Sequence, residues 1–204
     1  MDKFINTAKD FLDDDKDRQD QQQQQQQYPT PGSNKPAGGI ASFLGDLNFN
    51  DAKQEASKNA GSSGDENFFG SILQAVSQKQ GKLSHEDIDE EDAIKQHKKT
   101  YDDDDDNDAD ENSLGPAAAL QALKLFNKGE SSSSESSGQS AYLGLAMSEA
   151  SKLFDDKSSK DKVSSSTSKD AVVQKAAEVA MKMYMKSQGE QQGGLMGLAS
   201  KFIK

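Results

Sequence analysis

Apolar side chains recur at helical spacing in three segments of the second half of the chain: LGPAAALQALKLFNK, AYLGLAMSEASKLFDD and KDAVVQKAAEVAMKMYMK. In the first, Leu120, Leu123 and Phe126 or Asn127 mark one face; Pro116 suits the opening turn and Gly129 the end. The second carries a stripe of Leu143, Ala146, Met147, Ala150, Leu153 and Phe154, preceded by Ser140 or Gln139 as cap. The third places Val172, Val173, Ala176, Ala177, Ala180, Met183 and Tyr184 together, with Thr167 and Asp170 at capping-box spacing and Gly189, Gly193 and Gly194 ending it. Its wide alanine-rich face makes it the candidate for the most buried helix.

Two weaker patterns precede these. Residues 68–80 align Phe68, Phe69, Ile72, Leu73 and Val76, with Asp65 and Glu66 as an amino-terminal signal and Gly81 as a stop. Residues 84–101 open at Asp87 or Asp89 and put Ile94, His97 and Tyr101 on a face, with Ile88 or Ala93 near its start; their acids lie at the front and lysines at the back, matching the helix dipole. These five helices predict an all-α fold, a small irregular bundle with long disordered tails and spacers. The predicted domain runs over residues 65–189 with a flexible acidic insert at 102–112.

Residues 1–64 read as mostly disordered and low in complexity. Phe4, Ile5, Ala8, Phe11 and Leu12 form a short amphipathic helix near residues 3–12, followed by polyglutamine and a proline-punctuated linker. Residues 40–49 are a brief apolar patch, either a late-docking turn or a linear motif, and residues 50–64 read as a boundary. Residues 190–204 form a glycine-rich linker and a short amphipathic tail.

Composition reinforces the division. Only 32% of the 204 residues are hydrophobic and 6% aromatic, too few for folding to offset chain entropy along the whole length. Residues 82–111 hold fourteen carboxylates against four lysines, nearly all of the net charge of −11, while residues 169–204 are net basic. One arginine and a dominant acidic block argue against nucleic acid as a partner. The absence of cysteine excludes thiolate chemistry and disulfides. No secretory leader or membrane-length apolar run is present, so the expected setting is the cytoplasm, with the nucleus as an alternative, and a membrane is not an expected partner.

No catalytic, cofactor-binding or metal-binding residues emerge. His85 and His97 lack zinc-ligand spacing, and His97 on an apolar face reads as a packed histidine. Phosphate-cradling glycine loops and a nucleophile elbow are missing. An EF-hand begun at Asp102 would put Asn107 and Ser113 where glycine and glutamate are required. Ser62, Ser63, Ser84, Thr100, Ser132, Ser158 and Thr167 each have an acid three residues downstream, the spacing that acid-directed kinases read; Ser84 and Thr167 compete as helix caps. AALQALKLF at residues 118–126 and AMSEASKLF at 146–154 match at five of nine positions, a weak internal echo.

The ordered series FFGSILQAVSQKQ, DIDEEDAIKQHKKTY, SLGPAAALQALKLF, LGLAMSEASKLFD, KDAVVQKAAEVAMKMYMK and GLMGLASKFIK resembles an uncharacterised fungal family labelled "beta-flanking protein", over roughly residues 65–204. The resemblance implies a fungal intracellular protein with a small helical domain, and brings no catalytic residue. The expected function is a non-enzymatic protein-interaction module, binding an unknown protein or itself through a helical groove. The alternatives are a stress-associated, conditionally folded acidic protectant and a peripheral membrane protein using its terminal segments.

Overall fold

A computed structural model describes residues 47–83, 86–102, 108–130 and 138–189. In chain order these form α1 (Phe49–Ala60), α2 (Glu66–Gln78), a one-turn α3 (Gln80–Leu83), α4 (Glu90–His97), α5 (Glu111–Asn127), α6 (Gly138–Ser159) and α7 (Lys169–Gly189). The all-α expectation holds. Among the described residues the one β feature is a single parallel bridge, Ala109 to Val163.

The middle of the three long helices, not the last, is the most enclosed. On α6 every residue from Ser140 to Ser148 is buried, followed by Ala150, Ser151 and Leu153. Neighbours cover it on three sides. Tyr142 donates its hydroxyl to Ala119 O of α5 and approaches Met183 Sδ of α7 at 3.3 Å, while Lys169 at the start of α7 pairs with Asp155 near the end of α6. The two α6–α7 pairings run α7 antiparallel to α6. The echoing segments are thus neighbouring helices, each burying its two shared alanines, Ala118 with Ala122 and Ala146 with Ala150.

The third side is covered by α1, so the core reaches upstream of the expected boundary at residue 65. Ala52, Ala56 and Ala60 form a stripe at four-residue spacing, and all are buried. Their small side chains let backbones meet: a Cβ added at Gly144 of α6 would lie 2.6 Å from Glu55 Cβ and 2.8 Å from Ala52 O. Asn48 N donates to Ser140 Oγ at one end of this contact and Ser151 donates to Ser63 O at the other, so α1 and α6 run in the same direction.

The helix boundaries follow their capping chemistry. Asp65 caps α2 by accepting from Phe68 N, and Asp89 caps α4 by accepting from Asp92 N. Helix α2 ends at Gln78 with Lys79 as its cap, three residues earlier than Gly81, which instead lies within α3. On α4 the inward residues are Ala93 and His97; Ile94, expected on the inner face, is 38% exposed.

The acidic insert ends sooner than expected. Ala109 exchanges backbone hydrogen bonds with the α6–α7 connection, its N–H donating to Lys162 O and its carbonyl accepting from Ser164 N. Asp110 then forms a capping box with Ser113, each side chain accepting from the other's backbone N–H. Helix α5 therefore begins at Glu111, and Pro116 is its sixth residue rather than part of its first turn. One intrahelical bond is lost, at the exposed Asn112 carbonyl one turn upstream. At the other end Gly129 adopts φ 77°, with Gly129 N bonded to Phe126 O and Glu130 N to Leu125 O, a Schellman closure.

Helix α7 is capped by Ser168, whose hydroxyl accepts from Ala171 N. Thr167, the expected cap, instead buries a hydroxyl that has no hydrogen-bond partner.

Candidate functional site

Helices α1 and α2 pack as a hairpin and leave a groove of about 330 Å³ between them, lined by Phe49, Asn50, Lys53, Gly70, Leu73, Gln74 and Ser77. Its position follows from the capping of α1. Asn48 accepts from Asn50 N and Asp51 N, and its own N–H is held by Ser140, which fixes the register of the first turn. With Ala52 and Ala56 turned into the core, Phe49 is left at the rim and is 37% exposed. Across the groove, Gly70 presents bare backbone. A Cβ there would meet only Lys53 Cδ, at 4.0 Å. Leu73 supplies a buried apolar floor, and Lys53 and Gln74 border it with polar ends. This arrangement can accept an apolar side chain from outside while its rim bonds to a polar backbone.

A second concave surface is polar. Two adjoining hollows of about 160 and 330 Å³ share Asn112, Lys175 and Glu178, along α7 beside the start of α5. Ion pairs in and beside it hold helices together. Lys79 reaches Glu178 at 2.9 Å, Lys182 reaches Glu86 at 2.7 Å and Lys186 reaches Glu90 at 2.7 Å. Gln174 also donates to Glu178. The Lys182 hydrogen bond and charge hold the Glu86 carboxyl below its ordinary value. Exposed pairs of this kind contribute little each, but they tie α7 to the α2–α4 region. No group of three or more metal-ligating side chains occurs among the described residues.

The third cluster is buried. Helix α4 continues into a single π-helical turn, Lys98–Asp102. There His97 stacks on Tyr101 with ring centroids 4.9 Å apart, and His97 Nε2 lies 3.0 Å from Gln121 Oε1. Burial pushes the histidine below its ordinary value, against the Gln121 hydrogen bond that raises it. His97 is therefore the packed histidine the sequence suggested. Lys157 of α6, only 2% exposed, donates to Thr100 O. Tyr101 Oη and Thr100 Oγ1 are buried with no hydrogen-bond partner, and burial raises the tyrosine's pKa, with Glu149 and Asp156 adding to the effect. The cluster pins the π turn to α5 and α6.

His85, Ser84, Ser132, Asn107 and the amphipathic segments at residues 3–12, 40–46 and 190–204 lie outside the described residues. Sequence reasoning missed the groove because it assigned residues 50–64 to a boundary. The signal that could have found it is the stripe Ala52, Ala56 and Ala60 behind the capping residue Asn48.

A family model described as a domain of unknown function, DUF7721, matches residues 48–131. The matched stretch opens at the α1 cap and closes just after α5, so it takes in both helices of the groove and the π turn. It is an uncharacterised domain family. No curated protein and no solved structure matches the chain. No helix among the described residues is long and apolar enough to cross a membrane.

Proposed function

We propose that the chain is a non-enzymatic protein-interaction module whose α1–α2 groove receives an apolar side chain of an amphipathic partner segment. The observation that carries this reading is the exposure of Phe49 beside an apolar floor left open by Gly70. Phe49 and Ile94 are the exposed large hydrophobics among the described residues, and Phe49 borders the α1–α2 groove. A partner segment would bury that ring and the Leu73 floor, and the Lys53 stem would pack along it. Self-association through the same groove is a variant. The resemblance to the fungal beta-flanking proteins, and a cytoplasmic or nuclear setting, belong to the same reading.

The test uses the intact chain with two charge substitutions, Phe49→Asp in the groove and Ile94→Asp away from it. Proteins captured from a native extract by the wild type should be lost with Phe49→Asp and kept with Ile94→Asp. Sedimentation velocity on the same three proteins covers self-association. Identical capture and identical sedimentation for all three would remove the groove from consideration.

A further inference from the structure

Among the Ser and Thr residues with an acid three places downstream, the fold separates candidates that the sequence cannot. Thr100 is 3% exposed and buries its hydroxyl, and the Thr167 hydroxyl is also buried. Neither can enter a kinase active site from the native fold. Ser158 is exposed but sits in the last turn of α6, where its backbone carbonyl accepts from Asp161 N and Lys160 lies between it and the acid. Ser63 is half-buried, with its carbonyl held by Ser151.

Ser62 differs on every count. It is exposed at the centre of a three-residue 3-10 turn, Gly61–Ser63, that joins α1 to α2. The turn opens on Gly61 and is followed by Gly64. Gly61 takes φ 59°, and Gly64 lies against the Phe69 ring so closely that a Cβ would stand 2.6 Å from its Cζ. A hydrogen bond from Ser151 to Ser63 O anchors the turn to α6 and leaves Ser62 itself exposed. Asp65 and Glu66 follow at three and four residues, both exposed, with Glu66 4.0 Å from Lys53 in a loose surface ion pair. Asp65 accepts from Phe68 N with one oxygen, and its side chain is exposed at the surface.

We infer that Ser62 is a phosphoacceptor site for an acid-directed protein kinase, read through Asp65 and Glu66. The co-reactant is ATP. The Ser62 Oγ–P bond forms as the bond from the γ-phosphorus to the ADP oxygen breaks, and the hydroxyl proton passes to the kinase's base. The product carries a phosphate of about −2 charge immediately ahead of two carboxylates. The groove between α1 and α2 has no part in this inference.

The experiment incubates the intact, folded chain with a purified acid-directed Ser/Thr kinase and ATP, and maps phosphate by mass spectrometry. Four forms are compared: wild type, Ser62→Ala, Ser63→Ala and Asp65→Asn. Asparagine is as good a helix cap as aspartate, so Asp65→Asn removes the acid while α2 stays capped; a melt confirms that each form is folded. Phosphate is expected on Ser62, lost in Ser62→Ala, retained in Ser63→Ala and strongly slowed in Asp65→Asn. Thr100 and Thr167 should accept phosphate only after denaturation. Absence of phosphate from Ser62, or an unchanged rate in Asp65→Asn, would overturn the assignment.

Discussion

Gly144 of α6 faces Glu55 of α1 with no room for a side chain between them: a methyl group on Gly144 would stand 2.6 Å from Glu55 Cβ. It would also stand 2.8 Å from the backbone oxygen of Ala52, which cannot swing aside. Gly144→Ala must therefore separate α1 from α6. Overpacking of this kind typically costs about 1–3 kcal/mol, offset in part by roughly 1 kcal/mol of helix propensity. Gly70 is the counterpart, since its Cβ would enter open groove. Thermal melts should show Gly144→Ala lowering Tm and Gly70→Ala leaving it unchanged or raising it.

His97 links stability to pH. Burial holds its folded pKa below the ordinary 6.5, so the unfolded chain binds a proton at a higher pH than the folded one. Stability is then full above 6.5 and falls as pH is lowered from that value toward the folded pKa. Replacement by a neutral residue, His97→Gln, removes this component. The loss of Tm between neutral pH and the mildly acidic range should be smaller in His97→Gln than in the wild type; equal losses would contradict the burial argument.

Tyr101 buries a hydroxyl that bonds to nothing. Removing an unsatisfied polar atom while keeping the ring retains the stack on His97 and relieves the desolvation cost, on the order of 1–3 kcal/mol. Tyr101→Phe should raise the denaturant midpoint without changing the slope of the unfolding transition. A lower midpoint would mean that the hydroxyl has a stabilising role in the native state.

Asp110 closes the first turn of α5 through two reciprocal hydrogen bonds with Ser113. Burial tends to raise its pKa, but the Ser113 and Asn112 hydrogen bonds outweigh that and hold it below the ordinary value. Asp110→Ala should destabilise the fold by about 0.5–2 kcal/mol, and Asp110→Asn by less, since asparagine also caps. Equilibrium denaturation of the two variants at neutral pH measures both.

The helices with large aliphatic stripes were written in the sequence. Phe69, Ile72, Leu73 and Val76 on α2, and Leu143, Met147 and Leu153 on α6, announce their buried faces by period alone, because each side chain has a large transfer energy. The all-α class followed from them, and the acids ahead of two helices included the caps: Asp65 beside Glu66, and Asp89 as one of two choices with Asp87, between which the structure decides. Three other features were decided only by tertiary structure. Helix α1 rests on Ala52, Ala56 and Ala60, which carry little transfer energy and gain from burial only when Gly144 allows a backbone to approach. The depth of α6 depends on receiving α1, α5 and α7 on three sides, so that Ser140, Ser148 and Ser151 are buried along with its apolar stripe. The start of α5 was hidden inside an acidic run, where one aspartate looks like the next. Asp110 becomes a cap because Ala109 is bridged to Val163 on a distant part of the chain. Periodicity reports what each helix would bury; which small residues meet, and which acid becomes a cap, depends on partners remote in sequence.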